Sequence, residues 1–259
     1  MVEDLAREFA ASGGKRLRPR LVRAVFDALG GVDIAADEQD GATGRPVGIS
    51  AVCEAVECFH KASLIHDDIQ DGDCERYGAK ALHEQEGIPL AVAAGDLLVA
   101  EGYRLLANCG FESVREMMVA TAESHVRLCE GQGREISARA RGLVLSPDQI
   151  LEIYALKTGE AFALAAVLGA LAAGAGARLV DAARTFALNY GIAFQIADDM
   201  ADGGGTLLKP SGDAGANCDP ATIEGFKKKY LKRAETALDI PEFRESREKI
   251  AQLLLLRDI

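Results

Sequence analysis

The uncharged stretch from Ala161 to Ala177, AFALAAVLGALAAGAGA, constrains this chain more than any other feature. A helix that is apolar on every side has no solvent face, so it must be enclosed by other helices or by lipid. The stretch falls short of the roughly 20 strongly apolar residues that a spanning helix needs, and alanine and glycine stand where leucine and isoleucine would be expected. It therefore predicts a buried central helix of a large bundle and no transmembrane span, with peripheral attachment to a membrane left open. The chain is long enough to supply that bundle. Its 259 residues, 49% apolar and 27% charged, can bury a substantial core, and one domain spanning 1–259 is expected.

Alanine, leucine, glutamate, arginine and lysine dominate, proline is scarce, and strand-type Val/Ile/Thr runs are nearly absent, so the fold class is all-α. Glycine and proline breaks divide the chain into predicted helices at 3–11, 17–29, 49–70, 89–108, 112–139, 147–172, 176–201 and 221–238, with a last one to the end. A net charge of −11 excludes broad binding to nucleic acid, whose phosphates call for a basic face. The six cysteines form no CxxC pair and read as separate reduced thiols, which points to the cytoplasm. The opening Met1-Val2-Glu3-Asp4 is acidic, so no secretory leader is expected there.

Chemistry concentrates in two repeats of one pattern. Asp67, Asp68 and Asp71 close the apolar run that includes Ser63-Leu64-Ile65, while Asp198, Asp199 and Asp202 close another that includes Phe194-Gln195-Ile196. On a helix the first and last aspartates of each DDxxD lie one turn apart on the same face. Like charges at that spacing weaken a helix unless solvent or a cation compensates them. A single copy reads equally well as a solvated acidic helix end. Two copies about 130 residues apart, each ending an apolar helix, suit opposing halves of one magnesium and diphosphate grip.

Cations complete the pattern. Gly13-Gly14-Lys15-Arg16-Leu17-Arg18-Pro19 places three of them after a glycine turn at a helix start, where backbone N–H groups also attract anions. Arg76, Lys157-Thr158 and Lys209 come from distant segments that could reach a metal-bound phosphate. His60 lies two helical turns before Asp67 and shares its face, although a lone histidine there also reads as a packed core residue.

GGKRLRP, HKASLIHDDIQD, Gly95-Asp96, Gly131-Gln132, KTGEAF from Lys157 and FQIADDMAD from Phe194 stand in the order found in the trans-isoprenyl diphosphate synthase (polyprenyl synthetase) family, which this chain resembles over nearly its whole length. The resemblance implies an isoprenoid synthase fold, a bundle of long helices around a central cavity, in a homodimer. It implies condensation of isopentenyl diphosphate head-to-tail with an allylic diphosphate. By the resemblance Asp67, Asp68, Asp71, Asp198, Asp199 and Asp202 bind Mg(2+) and the allylic diphosphate, with Lys157 also catalytic and with Arg76, Thr158, Gln195 and Lys209 assisting. Lys15, Arg18 and His60 bind isopentenyl diphosphate.

The small Ala62 and Ser63 sit where shorter-chain members of the family often carry an aromatic, which implies a product of twenty carbons or more. Phe59, about 12 Å along the axis from Asp67 at about 1.5 Å per residue, is the next floor for the growing chain. Two departures stand out. Tyr77 replaces the second of two arginines usual in the family after the first cluster, and the segment around Lys209 lacks the usual Gly-Lys pair. They motivate an alternative reading as a non-catalytic subunit of a heteromeric synthase, against which the intact acidic clusters speak. A class I terpene cyclase is a third reading, disfavoured by the second DDxxD and by GGKRLRP.

Overall fold

The computed structural model describes residues 1–34, 46–201, 218–244 and 250. In chain order the described elements are α1 (Val2–Ala11), α2 (Leu17–Ala28), α3 (Gly48–Asp71), a two-stranded hairpin of β1 (Glu75–Arg76) and β2 (Ala79–Lys80), α4 (Leu82–Glu86), α5 (Ile88–Ala107), α6 (Val114–Ala140), α7 (Pro147–Tyr154), α8 (Glu160–Ala172), α9 (Ala177–Ala201) and α10 (Pro220–Ala237). A single π-helical turn, Ala155–Gly159, joins α7 to α8, and a 3₁₀ turn, Pro241–Phe243, follows α10. The fold is all-α, as expected, and the predicted helices agree with the observed ones to within two residues at each described end.

The structure departs from the expectations in the hairpin, in α4 and in the π turn. A two-residue strand pair has too little length for alternation to show, and α4 has a single buried residue, Leu82. The π turn interrupts the helix expected at 147–172 without any glycine or proline at its start. The last predicted helix falls largely outside the described residues.

α8 is the central element. Phe162, Ala163, Ala165, Ala166, Leu168 and Ala170 are all fully covered, and the helical stretch Pro147–Ala172 holds an 18-residue segment apolar enough to cross a membrane, 67% of which is buried inside the protein. α2 and α9 pack on it, α3 lies along α5 and against α2, and α10 closes the far side of α9. At Gly169 a Cβ would stand 2.4 Å from the Val22 carbonyl oxygen, so a methyl group there would push α2 off α8. Charge enters this interior at the start of α8. Glu160, 1% exposed, is held by Arg127 at 2.9 Å and Arg184 at 2.6 Å, which satisfies its carboxylate and ties α6, α8 and α9 together.

Caps mark two of the helix starts. Ser146 and Gln149 form a reciprocal capping box on α7, and the Asp219 carboxylate accepts from the Ala221 and Thr222 N–H groups ahead of α10. All six cysteines are free thiols.

Candidate active site

α3 and α9 each deliver an aspartate pattern at the end of a long buried run, and the π turn with α6 lies between them. Asp67 points into this region, where burial, with Asp71 and Glu135 adding repulsion, pushes its carboxyl up to about 6 against the pull of Lys157 and Arg76. On α9 the Asp199 carboxyl is likewise raised, mainly by burial and also by Asp198 and Glu135, while hydrogen bonds from Tyr154 and Gln195 oppose the shift. The same acid, Glu135 of α6, therefore acts on both clusters. Its partner is Lys157, whose Nζ lies 2.6 Å from Glu135 Oε2.

A relay of hydrogen bonds braces the second cluster. Thr158 donates to Gln195 Oε1 at 2.5 Å, Gln195 Nε2 donates to Asp199 Oδ1 at 2.9 Å, and the Tyr154 hydroxyl donates to Asp199 Oδ2. Lys157 and Thr158 belong to the π turn, whose extra residue per turn re-aims side chains relative to a plain helix. Close approach makes this possible. A Cβ at Gly131 of α6 would stand 2.7 Å from Leu156 Cβ, and one at Gly191 of α9 would stand 2.7 Å from Gly159 Cα.

The first cluster divides its work. Asp68, 1% exposed, turns away from the Asp67 and Asp71 face and takes Arg76, which donates from Nε at 2.8 Å and also from Nη2. Its other oxygen is buried with no partner. Asp71 accepts from Arg139 of α6 at 2.7 Å, and Gln132 donates to Gln70 at 2.8 Å. Among the described residues no three acids, histidines or cysteines converge on one point. Magnesium binds through one or two carboxylates and completes its shell with water and substrate phosphate oxygens, and Asp67 with Asp71, one turn apart on α3, offers that many. Asp202 and Lys209 lie outside the described residues.

The basic turn sits over the middle of α3. Lys15 is exposed. Arg18 is half-buried, with its guanidinium 4.6 Å from the Phe162 ring centroid and Nη1 3.1 Å from His60 Nε2. Burial pulls the Arg18 pKa down to about 10, which leaves it charged at neutral pH. His60 is held well below the usual imidazole value, first by burial and then by Arg18, Lys61 and Arg76, so it is the neutral partner in this contact. Glu57, 3% exposed, lies beneath with its carboxyl raised by burial and Oε2 unpartnered, as is Arg18 Nε.

Below the first cluster Ala62 is buried, whereas Ser63 is exposed and turns its hydroxyl onto the His60 carbonyl at 2.8 Å. Phe59 meets His125 and Tyr103 edge-on at ring distances of 4.7 and 5.2 Å, and its ring fills the space that a Cβ at Gly102 would need. The floor read from α3 alone is thus an aromatic wall built from α3, α5 and α6.

Glu135, Arg139, Tyr154, Glu57, Lys61, Tyr103 and His125 escaped the sequence reading. Glu135 had a signal, since it follows the Gly131-Gln132 motif by one helical turn. Lys61 had another, as a lone cation between the apolar Phe59 and Ala62.

A sequence model of the family described as polyprenyl synthetase matches residues 1–212. The short chain isoprenyl diphosphate synthase of Methanothermobacter thermautotrophicus is 34% identical over 192 residues, covering 74% of this chain and 55% of that protein. The geranylgeranyl pyrophosphate synthase of Geoglobus acetivorans is 31% identical over 251 residues, 96% of this chain and 73% of that one. Against the first two relatives the chain spans 55% and 62% of their length. The solved geranylgeranyl pyrophosphate synthetase from Geoglobus acetivorans superposes with a TM-score of 0.78 at 26% identity, covering 98% of this chain and 91% of that one. An FPP/GFPP synthase from Zymomonas mobilis gives 0.81 at 26% identity, covering 98% and 88%.

Proposed function

We propose, from the premise that the chain belongs to the polyprenyl synthetase family, that it condenses isopentenyl diphosphate with an allylic diphosphate to make a longer trans-polyprenyl diphosphate. The observation that carries this reading is the π turn, whose Lys157 pairs with Glu135 at 2.6 Å and bears on Asp67 while its Thr158 braces Asp199 through Gln195, which supports a single site built from both aspartate patterns. Relatives named as farnesyl, geranylgeranyl and geranylfarnesyl diphosphate synthases support a product within that range. The small, buried Ala62 beside the Phe59 wall favours twenty carbons or more.

Asp67 and Asp71 on one side, with Asp198, Asp199 and Asp202 on the other, would hold magnesium. What the cation supplies is Lewis-acid stabilisation of the departing diphosphate. Lys157 adds a positive charge at the same place, positioned by Glu135, and Thr158 and Gln195 fix the orientation of Asp199. Asp68 keeps Arg76 beside the first cluster. In the reaction the allylic C–O bond breaks, the isopentenyl double bond attacks the allylic carbon, and a proton leaves the isopentenyl unit. No protein nucleophile is needed. Lys15 and Arg18 bind the isopentenyl diphosphate, with neutral His60 orienting Arg18, and the aromatic wall limits the chain's length.

The working unit is one domain in a homodimer without a transmembrane span, in the cytoplasm. Self-association is supported by exposed valines: Val119 and Val126 stand two turns apart on α6, with Val92 on α5. The test is incubation of purified protein with magnesium, isopentenyl diphosphate and each allylic diphosphate, followed by chromatography of the dephosphorylated alcohols. Formation of an elongated alcohol supports the reading, and its absence with every primer refutes it.

A further inference from the structure

Lys61 is the one lysine among the described residues with no exposed surface, and a buried ammonium requires that its donors and its charge be satisfied. No carboxylate lies within ion-pair distance of it among the described residues. Instead Nζ donates to the carbonyl of Ser12 and, at 3.2 Å, to that of Gly13, and it stands 4.6 Å from the Tyr77 ring centroid and 5.7 Å from that of Phe9. Glu57, one turn earlier on α3, supplies a nearby negative charge without an ion pair, and two backbone carbonyls and two aromatic faces make the direct contacts.

What they enclose is the glycine turn ahead of α2. Gly13 and Gly14 have φ of +43° and +89°, and a Cβ on Gly13 would fall 2.6 Å from Tyr77 Cγ, so the ring occupies the space that the absent side chain leaves. Tyr77 is itself at φ +55° and Arg16 at +49°, conformations that bulky residues adopt only when their surroundings impose them. One face of α3 does so. Glu54 takes Arg16 at 2.5 Å, and two turns further on Lys61 takes Ser12 and Gly13. In a trans peptide the C=O and N–H point in opposite directions. Drawing the Ser12 and Gly13 carbonyls onto Lys61 therefore turns the Gly13 and Gly14 N–H groups away from it, and neither has an acceptor among the described residues.

We propose that Lys61 is the positioning residue of the second diphosphate site: its ammonium, backed by the Tyr77 ring, locks the 12–18 turn in the shape that presents two backbone N–H groups together with Lys15 and Arg18 to an anion. The proposal rests on the reading of this turn as the isopentenyl diphosphate site. It also gives Tyr77 a role. A second guanidinium at position 77 would face the Lys61 ammonium within about 5 Å, whereas an aromatic face attracts it. The charge at this corner is then supplied from α3 instead of from the hairpin.

The test replaces Lys61 with methionine, which keeps the apolar stem and removes the charge and donors. Amide hydrogen exchange of the substrate-free protein should accelerate at least tenfold at Ser12, whose N–H is held by the Phe9 carbonyl, and at Arg20, whose N–H is held by the Arg16 carbonyl, while α8 and α9 keep their protection. KM for isopentenyl diphosphate should rise about 10- to 100-fold, with KM for the allylic substrate within twofold of the unmodified protein, and Lys61→Arg should recover part of both. Unchanged exchange at Ser12 and Arg20, or acceleration spread evenly over the bundle, overturns the proposal, as does an equal rise in both KM values. If Lys61→Met does not accumulate folded, Tyr77→Ala, which removes the outer wall, gives the same exchange readout. Because exchange needs no substrate, lack of condensation by the unmodified protein would refute the proposed function without deciding the role of Lys61.

Discussion

Lys157 Nζ lies 2.6 Å from Glu135 Oε2, and this pair stands between the aspartates of α3 and those of α9. A lysine free to swing would add charge at no fixed point, whereas one held by an acid of the neighbouring helix offers its remaining donors in a set direction. Lys157→Met is expected to lower kcat by about 10²- to 10³-fold, the scale for loss of one donor to developing negative charge. Glu135→Gln, which leaves the lysine but releases it, should cost less. Steady-state kinetics on both variants checks the order.

The glycine that lets α6 reach the π turn yields a prediction away from the chemistry. Gly131→Ala would place a Cβ 2.7 Å from Leu156 Cβ, and overpacking of that kind costs about 1–3 kcal/mol. At about 2–4 °C per kcal/mol for a chain of this size, Tm should fall by several degrees. Because Leu156 precedes Lys157, kcat should fall as well, although the new methyl touches no substrate. Calorimetry and kinetics on one preparation test both effects.

Asp67 sets a pH dependence. Its folded carboxyl titrates at about 6, above its ordinary value of 3.8, so the metal-free protein prefers it protonated. The stability this contributes is complete below about pH 4 and is lost as pH rises through about 6. Magnesium requires the carboxylate, so metal and proton compete there. The Tm gain from magnesium with pyrophosphate should be small at pH 5 and grow through pH 6 to 7. Asp67→Asn should raise the metal-free Tm at pH 7 and cut turnover by several orders of magnitude. A magnesium-induced gain that is flat from pH 5 to 7 would contradict this account.

The aromatic wall predicts product length. Phe59→Ala opens space against Tyr103 and His125 and should shift the product to longer chains, at a stability cost of about 3–5 kcal/mol for a buried phenylalanine. Chromatography of the alcohols from both proteins reads the shift directly.

The long elements were legible because helix periodicity and glycine breaks are local. Even the burial of α8 followed from its lack of charge. Asp67, Asp199, Lys157 and Arg18 were legible because they sit in compact motifs. What was hidden arises where helices cross. Glu135 gains its role only because the π turn, which no local residue signals, aims Lys157 at it. Tyr154 reaches Asp199 across 45 residues of sequence, and Arg139 reaches Asp71 across 68. Asp68 belonged to a motif, yet its position one residue from Asp67 turns it about 100° round the helix and onto Arg76.

The proposed elongation reaction draws on both aspartate patterns and the basic turn, and product analysis decides whether it occurs. With magnesium, isopentenyl diphosphate and an allylic diphosphate, the protein should yield an acyclic alcohol of twenty carbons or more after dephosphorylation. No elongated product with any primer, or a cyclic hydrocarbon from the allylic diphosphate alone, would contradict it.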